Sequence, residues 1–262
     1  FAVAGVASLM YLWLSADAAV HLEERTPIQA NLAQETASQE DILASAELTT
    51  GQGRPADLPG VWPQFRGPNL DAVIREDVTL ARDWPETGPP VLWSIDLGEG
   101  YAGAAIRNGR VYLVDYDQEK RGDAIRCLSL ADGAEIWRYF YPVQVKRNHG
   151  MSRTVPAVTD EYVVSLGPKC HLSCLDAETG ELKWFLDLVK DYGATIPTWY
   201  AGECPLLDDG TVIVGVGGDV LMMAIDGETG DILWETPNPK GWKMTHSSPV
   251  PVEFAGKRMY VW

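Results

Sequence analysis

Short apolar runs recur along this chain behind turns rich in Asn, Asp and Gly. Arg110-Val-Tyr-Leu-Val114, Tyr162-Val-Val-Ser-Leu166 and Thr211-Val-Ile-Val214 are three of them, and Arg258-Met-Tyr-Val261 is a fourth. Runs this short, bounded by turn residues, predict β-strands rather than helices. A second pattern follows each run. Leu221-Met-Met-Ala-Ile225 leads into Asp-Gly-Glu-Thr-Gly230, and a further strand then carries Trp234. Gly230 supplies the positive φ that a tight hairpin with a bulge requires.

The second pattern is a repeat. Cys127 to Trp137, Cys174 to Trp184 and Ala224 to Trp234 align without a gap, with Gly133, Gly180 and Gly230 each four residues before its Trp. Trp93 stands where a preceding unit should end, so the Trp spacings are 44, 47 and 50 residues (93 to 137, 137 to 184, 184 to 234). Repeats of that length are typical of four-stranded propeller blades, and one large aromatic per blade buries its flat surface against the neighbouring sheet. The first strand of each unit lies at Gly103 to Ile106, Val155 to Val158, Cys204 to Leu207 and Ser248 to Val250, and the fourth unit stops at Trp262 inside its second strand. The fold class predicted is therefore all-β, a β-propeller with about three and a half blades present.

Two other regions precede the repeats. Residues 1–20 open on an uncharged apolar stretch that includes Val3, Leu9, Met10, Leu12, Trp13 and Leu14. It reads as a hydrophobic helix, either a cleaved signal peptide or a membrane anchor, and both place the bulk of the protein outside the cytoplasm, in the periplasm or on the membrane. Residues 21–60 are rich in Gln, Glu, Ala, Ser and Thr with no strand alternation, and read as a flexible linker. The propeller repeats then occupy 61–262.

Composition narrows the partners. With 37 acidic and 21 basic residues the net charge is −16, and such a field repels a phosphate backbone, so nucleic acid is excluded as an expected partner. Cys170-His171-Leu-Ser-Cys174 suggests a metal site, but Cys174 shares its register with Cys127 and Ala224, which marks a small buried strand position. No metal is expected there.

The units resemble the PQQ-like repeat of the quinoprotein alcohol dehydrogenase-like superfamily, whose hallmark is Asp-Ala-x-Thr-Gly-x-x-x-Trp. Asp176-Ala-Glu-Thr-Gly180 through Trp184 matches it, Asp226-Gly-Glu-Thr-Gly230 through Trp234 departs at Gly227, and the first copy has Ser129 for the Asp and Asp132 for the Thr. Trp62-Pro-Gln-Phe-Arg-Gly-Pro68 resembles the leading motif of a bacterial, BamB-like branch. The resemblance implies a full ring of about seven or eight blades. It implies either a binding and scaffold module that engages a protein or an extended peptide segment, or, as the alternative, a quinoprotein dehydrogenase that holds PQQ and Ca²⁺ and oxidises an alcohol or sugar.

The Gly turns are short and alike, so one propeller face is plain. The connections from each Trp to the next first strand run 11, 19, 21 and 15 residues (93 to 104, 137 to 156, 184 to 205, 234 to 249) and gather on the other face, where repeat folds place binding. Aligned on Pro156, Pro205 and Pro249, the channel rim on that face is expected to carry Tyr101, Arg153, Thr154, Glu203, His246 and Ser247. Higher on the same loops come His149, Trp199, Trp242 and Lys243. Arg, Glu and His side chains there suit an anion, a polar ligand or proton transfer, and exposed indoles suit a partner segment.

Overall fold

A computed structural model describes residues 10, 11, 40–75, 79, 81–145 and 151–262. Its strands form four antiparallel sheets, and each is a unit of the repeat. In the first, β2 (Ala105–Arg107), β3 (Arg110–Asp117), β4 (Gly122–Ser129) and β5 (Glu135–Pro142) lie in order from the inner edge outward. The second holds β6 (Ala157–Val158), β7 (Tyr162–Leu166), β8 (His171–Asp176) and β9 (Leu182–Asp187). The third holds β10 (Leu206–Asp208), β11 (Thr211–Gly215), β12 (Val220–Asp226) and β13 (Ile232–Pro237), and β14 (Val250–Phe254) with β15 (Lys257–Val261) begins a fourth. The inner strand β6 touches both β2 and β10, so the sheets stand side by side around one axis as a partial β-propeller.

Every strand of a middle blade faces a neighbour on both sides, and β7 is accordingly buried at every position. Val164, Leu166, Leu172 and Cys174 pack against Val212, Val214, Met223 and Ile225 of the third blade. The alternate residues Val163 and Leu175 pack against Tyr112, Ile125 and Trp137 of the first. The core therefore lies between blades.

The hairpin motif explains itself at atomic level. Cys127 pairs with Trp137, Cys174 with Trp184 and Ala224 with Trp234, so a small residue stands opposite each indole. A register shift follows each small residue, which is the expected bulge. The Asp176 carboxylate accepts from the Glu178 and Thr179 N–H groups, and Asp226 does the same for Glu228 and Thr229. In the first copy the Ser129 hydroxyl accepts from Ala131 N and Asp132 from Ala134 N. The turn survives its altered sequence because Ser129 takes over the amide that Asp176 and Asp226 serve at Glu178 and Glu228, and Asp132 the one that the Thr179 and Thr229 hydroxyls serve at Glu181 and Asp231.

Each Trp docks on the next blade's turn. The indole N–H of Trp93 donates to Leu130 O, that of Trp137 to Ala177 O and that of Trp184 to Gly227 O, at 3.0, 3.2 and 2.9 Å. A Cβ at Gly133, Gly180 or Gly230 would lie 2.6, 2.6 or 2.7 Å from the docked ring, so these glycines serve both the turn and the joint.

The polar stretch before the repeats is not linker throughout. Glu40–Leu43 forms a short helix, α1, and Glu47–Thr50 forms β1, which pairs with β5 as a fifth strand on the outer edge of blade one. The chain then hugs β5 and the plain face: Gly51 N bonds Ile136 O, Gly53 N bonds Glu135 O and Ala56 N bonds Gly109 O. Trp62 exchanges backbone bonds with Ile106, Pro63 O accepts from Val158 N, and Gln64 bonds Leu207 through both side-chain atoms. Residues 47–64 thus form a strap from the outside of blade one across the inner strands of three blades. The expected linker ends in ordered structure here because backbone pairing with distant strands replaces the alternation a regular strand would show. The expected hydrophobic helix falls almost wholly outside the described residues, and among those no helix is long and apolar enough to cross a membrane.

Candidate functional site

The strap crosses the inner strands near their ends at Ile106, Val158 and Leu207, beside the turns of the plain face. The opposite end, where the inner strands begin, carries the long connections. Neighbouring strand starts are tied together there: Val155 N donates to Cys204 Sγ at 3.2 Å, and Cys204 N to Ser248 Oγ at 2.9 Å.

This geometry separates the rim residues. Thr154 is buried, its hydroxyl donating to Leu166 O at 2.7 Å. Glu203, in the same register, is fully buried and accepts from Gly215 N at 2.5 Å and from Trp262 Nε1 at 2.7 Å. Burial pushes the Glu203 carboxyl well above its ordinary range, against the pull of its two donors. Both side chains bind the end of the adjacent strand instead of presenting to solvent, because register sets the level of a residue but not the direction of its side chain. Tyr101 is exposed with its N–H on Ser152 O, Arg153 is half-buried, and His246 and Ser247 are exposed. Of the upper-loop residues, Trp199, Trp242 and Lys243 are exposed, and His149 lies outside the described residues.

Three of these residues meet. Thr195 to Trp199 of the connection between blades two and three faces Lys243, Met244 and His246 of the next connection across a cleft of about 290 Å³. Both walls are anchored from below. Asp187 caps α2 (Leu188–Tyr192) by accepting from Val189 and Lys190 N–H, and Gly193 closes that helix in the left-handed region. Leu188, Ala194 and Ala201 are buried in the core, and Ala201 N bonds Pro168 O. On the other wall Met244 is buried 3.6 Å from Cys170 Sγ, and the Asn238 side chain bonds Gly218 O and both backbone groups of Trp242. Lys240 Nζ lies 5.2 Å from the centre of the Trp242 ring. The cleft therefore offers an indole, an ammonium and an imidazole on supported loops.

A buried polar cluster at the joint of blades one and two escaped the sequence reading. Asp123 accepts from Ser152 Oγ at 2.9 Å and from Tyr141 Oη at 3.1 Å, and burial lifts its carboxyl to about 7. The Tyr141 ring meets His171 edge-on at 5.6 Å, and His171 Nε2 lies 3.7 Å from Asp187. Burial lowers the imidazole to about 4. The one signal available was Asp123 itself, an acid next to Ala124 and Ile125 in β4. His171 faces this joint, whereas Cys170 and Cys174 pack toward blade three, so strand alternation sends the Cys-His-Cys constellation to opposite faces.

A family profile described as outer membrane protein assembly factor BamB matches residues 120–261. No curated protein matches the chain. Among solved structures, BamB from Moraxella catarrhalis aligns at 17% identity over 60% of this chain and 45% of its own, with a TM-score of 0.44. A europium-containing methanol dehydrogenase aligns at 20% over 53% of this chain and 25% of its own, TM-score 0.37. Quinohemoprotein alcohol dehydrogenase from Comamonas testosteroni aligns at 20% over 62% and 32%, TM-score 0.40. The chain spans from a quarter to under half of the length of these three proteins.

Proposed function

Since the chain belongs to the family of the outer membrane protein assembly factor BamB, within the PQQ-like repeat superfamily, we propose that it is an extracytoplasmic binding and scaffold propeller. Residues 1–20 direct it to or across a membrane as a signal or anchor, and the propeller from residue 61 engages another protein through its loop-rich face. One observation carries this reading: the cleft between the connections at 195–199 and 243–246 presents Trp199, Lys243 and His246 on loops fixed to the core. Amphipathic rings and a cation on a preorganised surface suit recognition of a protein segment, because little ordering is left for binding to impose.

Under the alternative, a quinoprotein dehydrogenase holding PQQ and Ca²⁺, Glu203 is the one acid among the rim residues, and both its oxygens accept hydrogen bonds here, from Gly215 N and Trp262 Nε1.

Site-specific photocrosslinking in cells tests the proposal. A photoreactive side chain at position 199 or 243 should give a discrete protein adduct, and one at Glu178 on a plain-face turn should not. Adducts from the plain face alone would refute it.

A further inference from the structure

The residues that line the cleft differ in charge from the chain as a whole. The protein carries 37 acidic and 21 basic residues, yet the eight residues lining the cleft include Lys243 and His246 and no acid. Lys243 is exposed and has no ion-pair partner among the described residues. Lys240, on the same connection, adds a second ammonium beside Trp242. Opposite stands Trp199, 43% exposed, with the apolar Ile196 and Pro197 beside it. One wall is thus aromatic and aliphatic and the other cationic.

The size of the cleft fits side chains. At about 290 Å³ it is just below the range of roughly 300–1,000 Å³ usual for small-molecule and cofactor pockets. It is open to solvent along the loop-rich face, so a strand-like segment can lie across it. Successive side chains of an extended segment alternate, which lets one residue meet the indole wall while a near neighbour meets the ammonium wall.

We propose that this cleft recognises an extended peptide segment bearing an acidic residue close to an apolar one. The carboxylate pairs with Lys243, the ring N–H of His246 supports it, and the apolar side chain lies on Trp199. This deepens the loop-face reading and rests on it. The selectivity is local: the field of a chain of net charge −16 attracts basic peptides and repels acidic ones, and it fades beyond about 8 Å at physiological salt. A preference for acid must therefore come from the cleft.

The test uses the full chain at about 0.15 M salt and three labelled peptides of roughly ten residues that alternate Leu with Glu, Gln or Lys. Fluorescence anisotropy should show the Glu/Leu peptide binding about two- to five-fold more tightly than Gln/Leu, the range expected from one solvent-exposed ion pair. Lys243→Glu should remove that preference or reverse it toward Lys/Leu, with an unchanged near-UV circular dichroism spectrum to show that the exposed substitution leaves the fold intact. Equal binding of the Glu and Gln peptides, or a preference that survives Lys243→Glu, overturns the acidic specificity and leaves loop-face docking standing. Failure of all three peptides to bind overturns both.

Discussion

Gly180 and Gly210 share a backbone torsion and differ in surroundings. Both have φ of +77°, but a Cβ on Gly180 would lie 2.6 Å from the Trp137 ring and 3.0 Å from Leu48, whereas one on Gly210 would meet nothing within 4 Å. Trp137 is 1% exposed and tied to Ala177 O, so it has no room to retreat. An L-residue in the left-handed region costs about 1–2 kcal/mol, and overpacking a closed site adds about 1–3 kcal/mol. Gly210→Ala should therefore lose about 1–2 kcal/mol and Gly180→Ala about 2–5 kcal/mol. Urea unfolding followed by tryptophan fluorescence and far-UV circular dichroism measures both, and coincident transitions would license the two-state treatment. If the two variants fall within about 0.5 kcal/mol of each other, the ring is not held on the turn and the proposed blade joint is wrong.

Other consequences follow from the same contacts. Burial raises the Asp123 carboxyl from an unfolded value of about 3.9 to about 7, so the unfolded chain ionises first as pH rises. Its contribution is fully present below about pH 4, is lost progressively toward pH 7 and is level above, a loss of about 4 kcal/mol. Asp123→Asn should flatten that part of the urea midpoint plotted against pH, and an unchanged slope would contradict the assignment. Gln64→Ala removes the two side-chain bonds to Leu207 and should destabilise the protein by about 1–3 kcal/mol in the same urea assay, with no loss meaning that the strap does not hold blade three. The four cysteines are all buried, with burial pushing Cys127 and Cys170 up to about 12, so a thiol reagent should label the native protein slowly and four thiols after denaturation; rapid native labelling would contradict this burial.

The blades were legible in the sequence because their signature is local. Gly180 and Trp184 are four residues apart, and both the turn and the small residue opposite the indole belong to one hairpin. The direction in which Trp137 docks was not legible, since its acceptor Ala177 lies 40 residues ahead on another blade. The strap was missed for the same reason: Thr49 reaches Arg138 across 89 residues, and Gln64 reaches Leu207 across 143. Glu203 was placed at the right level and given the wrong orientation. Repeat alignment locates a residue along the inner strand, but only the packing of Trp262 and Gly215 decides that its carboxyl turns inward. The cleft itself joins Trp199 and Lys243, both named from the sequence, with Thr195 and Met244, which carried no distinguishing pattern.

One face strapped and the other open is the central claim, and hydrogen–deuterium exchange of the full chain with and without the Glu/Leu peptide tests it most directly. The strap amides of Gly51, Gly53 and Trp62, bonded to Ile136, Glu135 and Ile106, should exchange slowly in both states. New protection should appear in 194–201 and 241–248 and nowhere on the turns at 176–180 and 226–230. Fast exchange along the strap, or protection gained on those turns in place of the loops, would contradict it.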